Sequence, residues 1–268
     1  MILDKVMNVK RKSEYNVKIP SDRNQTFHLE GICSLPSGQV IVADHSNKKV
    51  KLLDKSYNVS GHCDVSGHPS DICQITSSEV AVTLYGEGVQ FISVSNGQLV
   101  NGRKFKLPLV ATGIAHHLGA LYITSGTALY HYNMTGTLVK KLYEDTGGAC
   151  AVFKCAVSPD GERIFVTNHT NHKLLTLAKD GAVLSTFTDS DLQQPHCLHV
   201  TPAGQVLVCA ASSNTVIQVD HEGRKKLATL ASNKDGVRGP LSVCYTTNTD
   251  QIIVGQNNNN KIIVMELQ

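Results

Sequence analysis

Apolar positions in this 268-residue chain come in short blocks, and the blocks recur. Six times an apolar triplet follows a turn and is itself followed by a polar turn and a second β-prone run. The triplets are Val40-Ile41-Val42, Val80-Ala81-Val82, Leu121-Tyr122-Ile123, Ile164-Phe165-Val166, Val206-Leu207-Val208 and Ile252-Ile253-Val254. Their last residues lie 40, 41, 43, 42 and 46 positions apart. Strand-type segments at a near-constant period of this length predict a β-propeller with one blade per repeat. Each repeat reads as four strands. The first is apolar (Gly31-Ile32-Cys33-Ser34-Leu35) and ends in a turn such as Pro36-Ser37-Gly38 or Ser158-Pro159-Asp160-Gly161, where Pro and Gly set the φ values of a tight reversal. The triplet strand is apolar on both faces, as a strand sandwiched between neighbouring blades requires. A polar turn, a third strand (Val50-Lys51-Leu52-Leu53) and a more variable outer strand complete the unit.

The ends of the chain predict how the ring closes. The third strand of the sixth repeat, Lys261–Leu267, is followed by one residue and no fourth strand. Near the start, Glu14-Tyr15-Asn16-Val17-Lys18-Ile19-Pro20 has no partner in its own repeat and resembles the first blade's outer strand, Ser56-Tyr57-Asn58-Val59. Inserting it as the outer strand of blade six leaves no unpaired inner edge. The expected fold is all-β: a six-bladed β-propeller of four-stranded blades, with the N-terminal strand closing the last blade. Residues 1–12 are expected to form a flexible tail, and 13–268 a single domain.

Composition narrows the roles available. The 25 Lys and Arg against 22 Asp and Glu give a net charge of +3, so any nucleic-acid footprint must be local, and no DNA partner is expected. No window approaches 18 apolar residues, which excludes a helical membrane span and a membrane partner. The opening residues lack the apolar core of a secretory signal. Of eight cysteines, Cys33, Cys73, Cys155, Cys197 and Cys244 fall one per blade in the strand before the triplet, and no C-x-x-C pair occurs. Such cysteines act as small buried hydrophobes, and a reduced, cytoplasmic setting is expected.

The first repeat carries Val42-Ala43-Asp44, Asn47-Lys48-Lys49-Val50 and Leu53-Asp54; Asn171-His172-Lys173-Leu174 and Asn259-Asn260-Lys261-Ile262 repeat the middle element. This pattern resembles the NHL repeat, over roughly residues 14–268. The fifth blade shifts the Asn to Asn214, and blades two and three replace it with Gly86-Glu87-Gly88 and Ser125-Gly126-Thr127. The chain is similar to the C-terminal NHL module of tripartite-motif (TRIM) proteins. That resemblance implies a propeller that recognises a protein substrate or RNA, beside an N-terminal RING that supplies ubiquitin-ligase activity. No Cys/His pairs at zinc-ligand spacing for a RING or B-box occur here, so the chain is expected not to be an enzyme.

Candidate chemistry is sparse. The close histidines are His116-His117, His169 with His172, and His196 with His199; a zinc site needs three or four converging ligands, and His196 and His199 face opposite sides of a strand. A metal-dependent propeller hydrolase or lyase would need a ring of carboxylates, Asn and His at the channel end of the innermost strands. The corresponding positions are Glu30, Ser70, Thr112, Phe153, His196 and Leu241, followed by Gly31, Asp71, Gly113, Lys154, Cys197 and Ser242. Glu30 and Asp71 are the acidic members and Lys154 opposes a cation. No metal, cofactor or catalytic residue is expected; were there chemistry, Glu30, Asp71 and His196 would carry it.

The remaining surface is the end formed by the turns between second and third strands and the blade-to-blade loops. It is expected to present Asn47, Lys48, Lys49, Tyr85, His169, Asn171, His172, Lys173, Asn214, Arg238, Asn259 and Lys261 as a partner-binding face. Amide and imidazole groups suit the exposed main chain of a protein partner, and equally an ordinary solvated turn. Single-stranded or stem-loop RNA is the alternative, but RNA wants more cations and an aromatic stacking platform. The basic clusters Arg103-Lys104-Lys106 and Arg224-Lys225-Lys226 are expected at the opposite end or the rim.

Overall fold

A computed structural model describes residues 4–268. Six four-stranded antiparallel sheets stand as blades round a central channel. Blade one spans Leu29–Asp64, blade two Pro69–Phe105, blade three Gly113–Glu144, blade four Lys154–Phe187 and blade five Pro195–Ala231. Blade six takes three strands from Pro240–Leu267 and its outer strand, Val9–Asn16, from the start of the chain. That strand pairs antiparallel with Lys261–Leu267, from Asn16 opposite Lys261 to Val9 opposite Leu267. The only helical element among the described residues is a single 3-10 turn at Asn233–Asp235.

The closing strand differs in position from the sequence expectation. It begins at Val9 rather than Glu14 and ends at Asn16; the next residue, Val17, is fully buried and its N–H donates to the Asn260 carbonyl (2.8 Å). The flexible tail expected over 1–12 is therefore strand from Val9 onward. The residues before it lie against blade five: the Met7 N–H donates to Gln218 (2.9 Å), and Gln205 and Gln218 donate to the Lys5 carbonyl. The stretch is basic and still forms a strand, because an outer strand covers only alternate positions: Lys10 stays in water and Lys12 pairs with Asp235. Residues 1–3 lie outside the described part.

Hydrophobic residues gather in six clusters, one at each junction between neighbouring blades. The triplets supply them from both faces: Ile41 packs towards blade two, whereas Val40 and Val42 pack towards blade six. Near the axis the inner strands approach closely. A Cβ on Gly113 would stand 2.9 Å from the Lys154 Cα of the next blade, so glycine is required there.

The repeat signature has a structural cause. The Asn47 N–H donates to Asp44 Oδ1 (3.2 Å) and the Asn171 N–H to Asn168 Oδ1 (2.9 Å), fixing the turn between second and third strands. The turns of blades one, four, five and six each hold a left-handed residue: Lys48, His172, Asn214 and Asn258, with φ of 51–56°. Blades two and three place Gly86 and Gly126 in this conformation instead (φ 71° and 84°). Their turns are shorter and need glycine's freedom, which accounts for the missing Asn. Asp44 also joins Asp22 in gripping the fully buried Lys51, whose Nζ lies 2.8 Å from each carboxylate. The shared Asp and Asn thus shape the fold.

Candidate functional site

Backbone irregularity builds the channel mouth at the loop end. In blades one, two, five and six, the ladder skips one residue at the start of the inner strand: Glu30, Ser70, His196 and Leu241. Thr112 and Phe153 precede the inner strands of blades three and four at the same level. A bulge takes a residue out of the ladder and re-aims it, and here it leaves carbonyls free beside the axis. The Lys154 ammonium, 1% exposed, takes two of them, Ser70 O and Glu30 O (3.4 Å for the latter). The His196 Nδ1–H donates to a third, Leu241 O, at 2.9 Å.

Lys154 is the stopper of this mouth. Its Nζ lies 3.7 Å from Asp71 Oδ1 and 3.9 Å from Glu30 Oε2. Burial opposes its charge, but Asp71 and Glu30 outweigh that and hold its pKa above the ordinary lysine value. Asp71 accepts the N–H groups of Ile72 (2.9 Å) and Ile114 (3.0 Å), while burial raises its pKa. The two carboxylates thus share one ammonium. No group of three or more His, Cys, Asp or Glu side chains able to hold a metal ion forms among the described residues.

Above Lys154 lies a belt of rings. Phe153 is 4.9 Å from His196 and 5.3 Å from His169, centroid to centroid. On the other side His45 stands between His68 (4.7 Å) and His28 (6.1 Å). Burial lowers the pKa of His45 and His169 and takes His196 down to about 4. Because His196 Nδ1 and His45 Nδ1 donate to carbonyls (the latter to Pro69 O, 3.2 Å), each neutral ring keeps its acceptor lone pair at Nε2.

The expected partner-binding residues do share the loop end, but many are occupied. Asn47 Oδ1 accepts the N–H groups of Arg23 and Asn24, His172 Nδ1 that of Gln194, and Asn214 Oδ1 that of Gly239. Asn259 caps the N–H of Lys261, and Lys261 pairs with Glu14 on the closing strand (2.8 Å). Lys49 is buried and ion-paired to Asp64, which corrects its expected exposure: Asp64 stands directly opposite it on the outer strand, and the ammonium folds onto that carboxylate. Lys48 and Arg238 stand exposed, Tyr85 is 58% exposed, and Lys173, His169 and Asn171 are half-buried. Lys104, expected at the far end or rim, lies at the loop end, bonded to Glu87 (2.5 Å) and Ser66 (2.7 Å).

Further down the same strands the channel widens to a cavity of about 510 Å³, opening at the hairpin-turn end. Its walls include all five in-register cysteines, with His199 and Tyr245. All eight cysteines are free, and burial pushes the Cys197 and Cys244 thiols up to about 12. Their one-per-blade spacing was readable in the sequence; the cavity they surround was not.

Solved structures share this architecture. Virginiamycin B lyase from Staphylococcus aureus, as a catalytically inactive His-to-Ala variant with quinupristin, superposes at a TM-score of 0.69 and 14% identity, covering 96% of this chain and 99% of its own. A protein of unknown function from Bacteroides thetaiotaomicron gives 0.74 at 11% identity over 96% of this chain and 77% of its own. The β-propeller domain of Cps50 (Swd1) from Myceliophteria thermophila gives 0.64 at 10% identity, over 90% and 83%. The likeness is one of fold. No family model matches the sequence, and no curated protein matches it.

Proposed function

We propose that this propeller is a non-enzymatic recognition module that takes a polypeptide partner across its loop end, as the substrate-recognition part of a TRIM-like ubiquitin ligase would. The observation that carries the reading is the fastening of the loops to one another. His172 and Asn214 spend side-chain acceptors on N–H groups of the connections into the next blade, and Asn47 and Gln256 on the connections entering their own. A face held this way is ordered before any partner arrives, and preorganisation cuts the cost of association. It leaves Lys48, Arg238 and Tyr85 projecting. RNA is disfavoured by the small number of free cations and the single strongly exposed aromatic ring among them.

Selection of binders from a random peptide library tests this. Lys48→Glu, Arg238→Glu and Tyr85→Ala, made together, are expected to lower affinity for selected peptides at least tenfold without moving the unfolding midpoint. Unchanged affinity removes the loop-end assignment. Strong retention of single-stranded RNA, falling steeply between 50 and 200 mM salt, would replace protein with RNA.

One observation favours a second reading, a lyase. His196 and Glu30 meet in a partly buried mouth with a shifted pKa, the kind of pairing that marks reactive sites, and a structural neighbour is a lyase that is inactive as a His-to-Ala variant. Consumption of quinupristin by this chain, lost in His196→Ala, would establish it.

A further inference from the structure

The mouth contains two acceptors with no donor between them. With Nδ1–H given to the Leu241 carbonyl, the neutral His196 ring offers a lone pair at Nε2, which lies 3.5 Å from Glu30 Oε2. His196 is 8% exposed and Nε2 has no hydrogen-bond donor, while the Glu30 side chain is 15% exposed. A lone pair facing a carboxylate oxygen is unfavourable until an N–H or O–H fills the gap. Lys154 does not fill it: its Nζ sits below, on the Ser70 and Glu30 carbonyls, 3.9 Å from that oxygen.

Charge points the same way. Two carboxylates, Glu30 and Asp71, against one ammonium, Lys154, leave the mouth with one net negative charge when the neighbouring rings are neutral. The half-buried Phe153 ring stands at the same level, 4.9 Å from His196, with the Lys154 ammonium over it at 5.8 Å from the centroid, so an aromatic surface that tolerates positive charge borders the site. The rim cations Lys48 and Arg238 lie outside this acidic centre.

We infer that the channel mouth seats the cationic head of a lysine- or arginine-like side chain, its N–H groups bridging Glu30 Oε2 and His196 Nε2 beside Phe153. This rests on the reading of the loop end as a recognition face and names what that face reads: a basic residue of the partner, inserted at the axis. Lys154 limits the depth of insertion, so only the head of the side chain enters.

Calorimetric titration of the full chain tests it with three probes: Nα-acetyl-arginine amide, Nα-acetyl-lysine amide and the uncharged isostere Nα-acetyl-citrulline amide. At least one cationic probe is expected to bind saturably, and the citrulline probe at least tenfold more weakly. Glu30→Gln should cost the cationic probe at least tenfold. The citrulline contrast in the unaltered chain keeps the test decisive if that variant folds poorly. Equal binding of the citrulline and arginine probes, no saturable binding of either cation, or displacement of the bound probe by stoichiometric Mg²⁺ or Zn²⁺ overturns the inference. Library peptides that need Lys48, Arg238 and Tyr85 yet carry no essential Lys or Arg overturn it while leaving the recognition reading intact. A bound cationic probe with no peptide binding does the reverse.

Discussion

At the loop end of the channel the inner strands open on Glu30, Ser70, Phe153 and His196, with Lys154 and Asp71 one step in; a few residues further along the same strands the walls are Cys33, Cys73, Cys155, Cys197 and Cys244 around a cavity. Backbone geometry separates the two. Where the ladder skips a residue, free carbonyls line the axis and demand donors, so an ammonium and an imidazole N–H are held there. Further along, the ladder is regular, backbone groups are already satisfied and the cavity walls carry mostly apolar and thiol side chains. Polar chemistry at the axis follows the bulges, because a buried charge persists only with partners to compensate its lost hydration.

The largest test of that contrast is Lys154→Met. It leaves the Glu30 and Ser70 carbonyls without their donor and Asp71 without its counter-charge, and is expected to cost about 3–5 kcal/mol, read from the urea midpoint; adding Asp71→Asn should recover much of the loss. A neutral Lys154→Met would mean that the stopper does not organise the mouth. Next comes acidification. His196 is held at about 4, below its unfolded value, so the folded state binds fewer protons than the unfolded chain between these two values. Its stabilising contribution is complete above about 6.5 and is lost as pH falls towards 4, by at most about 3 kcal/mol. His196→Gln should flatten that part of the stability profile.

A smaller effect is expected from Asn214→Ala. It removes the acceptor of the Gly239 N–H and places alanine at φ 55°, costing about 1–2 kcal/mol and loosening the loop into blade six, which amide exchange at Gly239 would report. The smallest belongs to the other end. Cys73→Ala trims a half-buried wall of the cavity and should shift stability by less than about 1 kcal/mol, with no change in peptide or cation binding at the loop end. A loss of binding would show that the two ends are coupled.

Blade number, strand order and ring closure were legible in the sequence because strand-length apolar blocks repeated at a near-constant interval allow few other foldings. The loop end was legible as a place: the turns holding Asn47, Lys48, His172 and Asn214 do share it. Which of these side chains stay free was not legible. Asn47 and Asn214 look like ligand-binding amides in one dimension, yet they are spent on N–H groups 23 to 25 residues away in sequence.

Local pattern thus determined the strands, the turns and the inward-facing triplets, since each depends on the nearest few residues. Only the tertiary structure decided the rest. Bulges at Glu30 and His196, the burial of Lys49 and the meeting of Lys154 with Glu30 across more than a hundred residues arise from where the ring brings backbones together. Hydrogen-bond demand at the axis depends on all six strands at once, and no single repeat contains it.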